Sequence, residues 1–319
     1  MTAPERDAAG ASHEPGADRT YYGRPVLKEP VWIWAVPVYF YVGGAAGAAA
    51  VLAEAVDSLG PHDARGLVAR GRWIGAAGGA LGTGLLVYDL GRPARFLNML
   101  RVWRPTSPMS VGSWVLAAAA PAFALSAALP IAGARLGPRR GRALDALGDA
   151  AGWVSAALGL PLCAYTAVLL GNTAVPLWQA VRKSLPYLFV ASAASSAAAL
   201  LEMTDLRDSE AAVVRRFGTL AEVAELGAAL VVERDAARVE RVGVALQSGV
   251  AGALWRASTT ATALGLALGL VPGRSRARSL AAGASATVSG IALRFAIFYA
   301  VKASARDPSA AFAQQKAGA

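Results

Sequence analysis

Four stretches of this chain run for 18 residues or more without a charged side chain: 31–53, 105–134, 150–181 and 184–201. A helix rises about 1.5 Å per residue, so a run of that length reaches across roughly 30 Å of hydrocarbon. Each is therefore read as a membrane-spanning helix. Three further segments fit with small allowances. Residues 73–88 lengthen backwards if Arg70 and Arg72 snorkel to the headgroups, 242–271 is interrupted only by Arg256, and 279–301 only by Arg294. A last segment, 217–232, contains Glu222 and Glu225. The expectation is an all-α, polytopic membrane protein of about eight transmembrane helices in two four-helix halves. The helices are placed near 31–53, 68–89, 111–133, 147–171, 184–203, 216–233, 242–271 and 279–302. The transmembrane domain then fills 29–303, between a tail over 1–28 with the composition of a disordered segment and a polar tail over 304–319. No apolar stretch follows a basic start at the N-terminus, so the first helix is expected to stay as a permanent span. Eight spans put both termini on one side, and the loop Lys and Arg divide too evenly to choose that side.

The net charge of +10 raises nucleic acid as a partner, but the distribution argues for lipid. Only 16% of residues are charged, and the basic ones cluster between apolar runs, where headgroups would meet them. Small residues four apart, Gly43 with Gly47, Gly75 with Gly79 and Gly78 with Gly82, imply close helix packing, because lipid gives helices no hydrophobic drive to associate. A membrane-embedded haem needs axial ligands within the spans, yet the 2 His are His13 in the tail and His62 in a loop. The single Cys, Cys163, cannot hold an iron–sulfur cluster or a zinc and is read as a small core hydrophobe. Neither haem nor an iron–sulfur cluster is expected in this chain. Redox chemistry would need an organic cofactor or a partner.

The loop after the second span is the most unusual segment. Asp89 closes the helix, Gly91 and Pro93 stop it, and Arg92 and Arg95 follow within reach of the carboxylate or of a ligand. It reads either as a headgroup-contacting loop with one Asp–Arg pair or as a polar pocket at the membrane surface. Three motifs together resemble the NrfD-like family, the membrane subunits of polysulfide-reductase-type complexes. They are Tyr39-Phe40-Tyr41-Val42-Gly43-Gly44 on the first span, the Asp89-Leu90-Gly91-Arg92-Pro93 loop running on to Ser107-Pro108-Met109-Ser110 and Gly112-Ser113-Trp114, and Tyr165-Thr166-Ala167 on the fourth span. The resemblance covers roughly the first 180 residues.

That resemblance implies a haem-free, multi-pass subunit of the cell (cytoplasmic or inner) membrane. It would bind a quinone or quinol, menaquinone included, and anchor a ferredoxin-like iron–sulfur subunit joined to a molybdopterin catalytic subunit. Tyr165 matches a family tyrosine that contacts the quinone; a phenol can donate to a carbonyl while its ring packs on the headgroup. Asp89 could relay a proton, with Arg92 orienting it or holding it ionised. Tyr39 and Tyr41 are further candidate contacts. Family members place polar side chains, a His among them, near the start of the first span, where this chain has Trp32, Trp34 and Pro37. The two tryptophans are read as interface anchors. Glu222 and Glu225 share a helix face, and Arg256 or Arg294 could pair with them, either as a proton route or as internal salt bridges. A purely structural anchor and a secondary transporter stay open as alternatives, although no half-to-half repeat is evident in the sequence.

Overall fold

The structure, a computed structural model, describes residue 27 and residues 30–273 and 275–306. The two expected tails lie outside these residues, apart from residues 27 and 304–306. Among the described residues there are α-helices and one 3₁₀ turn, and no strand. In chain order the helices are α1 (Ala35–Leu59), α2 (Arg65–Asp89), α3 (Ala94–Met99), α4 (Pro108–Gly133), α5 (Pro138–Gly171) and α6 (Pro176–Ala180). They continue as α7 (Leu185–Glu202), α8 (Asp208–Ala237), α9 (Glu240–Gln247), α10 (Gly249–Leu270) and α11 (Arg276–Arg306). Five of them, α1, α4, α5, α7 and α11, are long and apolar enough to cross a membrane. The chain is an all-α, multi-pass membrane protein. Helices α2, α8 and α10 are also long, at 25, 30 and 22 residues. They are more polar: α2 carries Arg65, Arg70 and Arg72, α8 carries Glu222 and Glu225, and α10 carries Arg256 beside a Ser/Thr run.

Local sequence sets the boundaries. Pro108 opens α4 at a position where its missing N–H is no loss, and the Ser107 hydroxyl accepts the Ser110 N–H at 3.4 Å. Gly91, at φ 66°, takes the left-handed conformation that ends α2. Residues 242–271, read from sequence as one helix, are divided between α9 and α10 at Ser248 and Gly249. Gly249 has φ 58°, a value that a glycine adopts without a steric penalty. Buried hydroxyls that would lack partners in lipid bond back to their own helices, as Ser155 does to the Ala151 carbonyl at 2.7 Å and Ser196 to the Ser192 carbonyl at 2.7 Å.

Packing gives two bundles of one design. Helices α1 and α2 form one hairpin and α4 and α5 another, closed by α1 on α5 and α2 on α4. The second bundle repeats this with α7 and α8, then α10 and α11, closed by α7 on α11 and α8 on α10. The bundles meet through α1 and α7, with α1 also on α11 and α5 also on α7. This internal repeat lies in the contact pattern of the helices. Helix α1 is the shared interior wall: 83% of its apolar window is buried, against 33% for α4. It approaches α5 so closely that a Cβ on Gly47 would lie 2.6 Å from the Gly159 carbonyl oxygen.

Successive long helices alternate in direction, so the bundle has two ends. Ile33, Asp89, Trp178 and Ser304 gather at one, the near end: the Ile33 N–H donates to Asp89 Oδ1 at 3.3 Å, the Leu177 N–H donates to Ser304 Oγ at 3.3 Å, and Trp32 stacks on Trp178. At the far end Arg70 donates to Glu210 at 2.9 Å. Arg72 also turns inward rather than snorkelling as expected. It is 7% exposed and reaches Asp149 at 3.2 Å, Asp57 at 3.3 Å and the buried Glu54 at 3.4 Å. Three carboxylates offset the cost of burying one guanidinium, an option that headgroup contact would not improve.

Candidate functional site

At the near end the first bundle encloses an apolar cavity of about 90 Å³. Trp32 just before α1, Val36 and Phe40 from α1, Leu86 from α2, Leu116 from α4 and Leu169 from α5 form its walls, together with Phe96 and Met99 of α3. Its polar groups are few: the hydroxyls of Tyr39 and Tyr165, the carboxylate of Asp89 and Ser113. The Ser113 hydroxyl is already committed to the Met109 carbonyl at 2.8 Å.

The two phenols reach across from α1 and α5 and hydrogen-bond to each other. Glycines make this possible. A Cβ on Gly112 would overlap the Tyr165 ring, and Cβ atoms on Gly43 and Gly82 would each lie 3.2 Å from the Tyr39 ring. When one phenol donates to the other, the second O–H is left over, and the cavity is where it can point. Asp89 uses Oδ1 to hold the start of α1. Two oxygens on a carboxylate leave Oδ2 for another partner.

The family described as polysulphide reductase, NrfD, matches residues 25–306. This chain belongs to the NrfD family. The match extends well beyond the first 180 residues to which the sequence motifs point, and takes in the whole second bundle. No curated protein matches the chain.

In this NrfD-family chain the expected site residues separate into three places. Tyr39, Tyr165 and Asp89 come together at the near-end cavity. Tyr41 does not join them: it lies on the opposite face of α1, turned to Ser196, Thr287 and Arg294. Arg92 is exposed in the loop and makes no ion pair with Asp89 among the described residues. Glu222 and Glu225 are both buried on α8, as the shared face implies. Arg256 is far from them in environment, exposed on α10 with its guanidinium on the Gln247 carbonyl at 3.2 Å. The basic residue that bears on Glu225 is Arg294.

Trp32 was read as an interface anchor together with Trp34, but only Trp34, 53% exposed, has that environment. Trp32 lines the cavity and stacks on buried Trp178 at 5.7 Å between ring centroids. The serines facing Glu225, namely Ser192, Ser195 and Ser289, were not singled out from sequence. A single Ser among alanines carries no signal until the opposing helix is known. Among the described residues no group of three or more His, Cys, Asp or Glu is arranged to hold a metal ion.

Proposed function

We propose that this chain is the quinone-reactive membrane subunit of an oxidoreductase complex, exchanging electrons with an iron–sulfur partner that is joined to a molybdopterin subunit. The observation that carries the reading is the Tyr39–Tyr165 hydroxyl pair facing a near-end cavity that Asp89 also lines. A quinone, when bound, supplies two-electron, two-proton redox chemistry. The residues present suit such a group: apolar and aromatic walls for a flat ring, phenol donors for a carbonyl oxygen, and a carboxylate that can hold a proton.

The residue roles follow from their positions. Tyr165 donates from its hydroxyl while Tyr39 accepts or donates in turn, so the pair can pass a proton without moving its rings. Asp89 holds a proton at Oδ2, the oxygen not committed to the Ile33 N–H. The walls of Phe40, Leu86 and Leu116 exclude bulk water. A cavity of about 90 Å³ is below the roughly 300–1,000 Å³ of full ligand pockets, so binding requires Phe96 and Met99 to swing outward. Both sit on the six-residue α3, with the Gly91 turn close before it, and methionine is the most adaptable of apolar side chains. Around this cover the near end exposes Arg92, Arg95, Arg101 and Arg104 with Leu97 and Trp103, a surface suited to an acidic partner.

The test is to purify the chain gently with whatever binds it and to assay extracted quinone together with iron–sulfur signals. Quinone is expected in the wild type and its loss in Tyr165→Phe and Asp89→Asn, with the partner's signals retained. Quinone retained in both variants refutes the site, and a partner without quinone in the wild type leaves a purely structural anchor.

A further inference from the structure

On the side of α1 turned away from the near-end cavity lies a second polar cluster, which the quinone site does not use. Its centre is Glu225 on α8 and Arg294 on α11, 3% and 1% exposed. Ser192 and Ser195 from α7 and Ser289 from α11 face the carboxylate. Tyr41 from α1 and Thr287 from α11 complete the cluster on the guanidinium side, with Cys163 of α5 beyond it. Ser289 continues into a hydroxyl chain, meeting Thr262 at 2.6 Å and Ser258 at 3.1 Å.

This cluster is under-bonded. Both carboxylate oxygens of Glu225, the hydroxyls of Ser192, Ser195, Thr287 and Tyr41, and Nε and Nη1 of Arg294 are buried without a hydrogen-bond partner. Arg294 spends Nη2 on the Phe189 carbonyl at 3.3 Å and lies over the Phe189 ring at 4.1 Å, and among the described residues no ion pair joins it to Glu225. A salt bridge that served only to order the helices would be direct and saturated, because each unmet buried polar group costs stability. Donors and acceptors in that number supply the partners that a buried water needs, typically about three.

A line of carboxylates leads out of it. Glu222 precedes Glu225 by one turn on the same face of α8, towards the far end, and Glu202 on α7 acts on it in turn. Gly265 of α10 leaves the room that Glu222 needs, for a Cβ there would lie 2.6 Å from its Oε1. Glu202, with Arg215 beside it, lines a far-end cavity of about 610 Å³. The groups that bear on Glu225 are thus Glu222 on its own helix, Arg294 with Ser289 from α11, and Ser192 and Ser195 from α7, with Tyr41 of α1 and Cys163 of α5 beyond Arg294.

We propose that Glu225 is an intramembrane proton-binding site, loaded through internal water from the far-end cavity by way of Glu202 and Glu222. The proton leaves water in that cavity and binds a carboxylate oxygen of Glu225; release runs back along the same line, and nothing is oxidised or reduced. The cavity that feeds it lies at the end of the bundle opposite the Tyr39–Tyr165 cavity.

The experiment uses the full chain in lipid nanodiscs and infrared difference spectra between H₂O and D₂O across a pH series. We expect a protonated-carboxyl C=O band that follows the pH of the medium and shifts in D₂O. It should be lost in Glu225→Gln and exchange several-fold more slowly in Glu222→Gln. Tyr165→Phe, which tests the quinone site, should leave both band and exchange rate unchanged, so the two readings fail separately. Persistence of the band in Glu225→Gln, or wild-type exchange in Glu222→Gln, overturns the proposal. Ser195→Ala, which removes one hydroxyl facing the carboxyl, provides a second arm if Glu225→Gln does not assemble: a shifted band supports the assignment and an unmoved one refutes it.

Discussion

Tyr165 holds its place because residue 112 has no side chain. The Gly112→Ala methyl would overlap the ring, and the overpacking should cost about 1–3 kcal/mol unless the ring swings away from Tyr39. Either way the phenol pair is disturbed. We expect Gly112→Ala to lower the extracted quinone as Tyr165→Phe does, and thermal unfolding of the two variants to separate the lost hydroxyl from the lost packing. The residues of the pair were legible in the sequence only through the family motifs, for nothing in the spacing of Tyr39 and Tyr165 predicts that they meet. Tyr41 shows where such reading stops. Two residues along a helix are about 200° apart, so Tyr39 and Tyr41, alike in type and nearly adjacent, serve opposite faces of α1. Arg256 and Arg294 posed the same difficulty: each is the single charge in an apolar run, and only the neighbouring helices decide that one turns outward and the other in.

Among the elements, α1, α2 and α5 are tied at the far end by Arg72. Replacing it with alanine would leave Glu54 buried among Asp57 and Asp149 with no counter-charge, a loss of the kind that costs about 3–5 kcal/mol. Arg72→Ala should therefore unfold at a markedly lower temperature than the wild type in the same detergent. Arg95→Ala, at an exposed position in the near-end loop, should stay within about 0.5 kcal/mol. The long apolar helices were readable from charge-free length alone. The extent of α8 was not, since its Asp, Glu and Arg residues resemble a loop until their buried partners are known. The division of α9 from α10 turns on one glycine, and a glycine in an apolar run has no signature that distinguishes a break from a packing contact.

For the molecule as a whole, the paired bundles make a statement about sidedness. If all eight long helices cross, Leu97 and Val244 lie at the near end and Leu136 at the far end, and all three are exposed. With buried Cys163 as the native thiol, membrane-impermeant reagents applied to sealed vesicles should label Leu97→Cys and Val244→Cys from one side and Leu136→Cys from the other. Labelling of Val244→Cys from the side that labels Leu136→Cys would mean that α8 does not cross. The burial of α1 also has a consequence for biosynthesis. Its surface of glycines and alanines is finished by α5 on one flank and by α7 and α11 on the other, and these leave the ribosome after it. Until they arrive, lipid must stand in for protein along a wall built for close contact. Chains cut short after α5 would keep that wall half-covered, which makes the second bundle the step that commits the first to its final form and the natural point for quality control to discriminate.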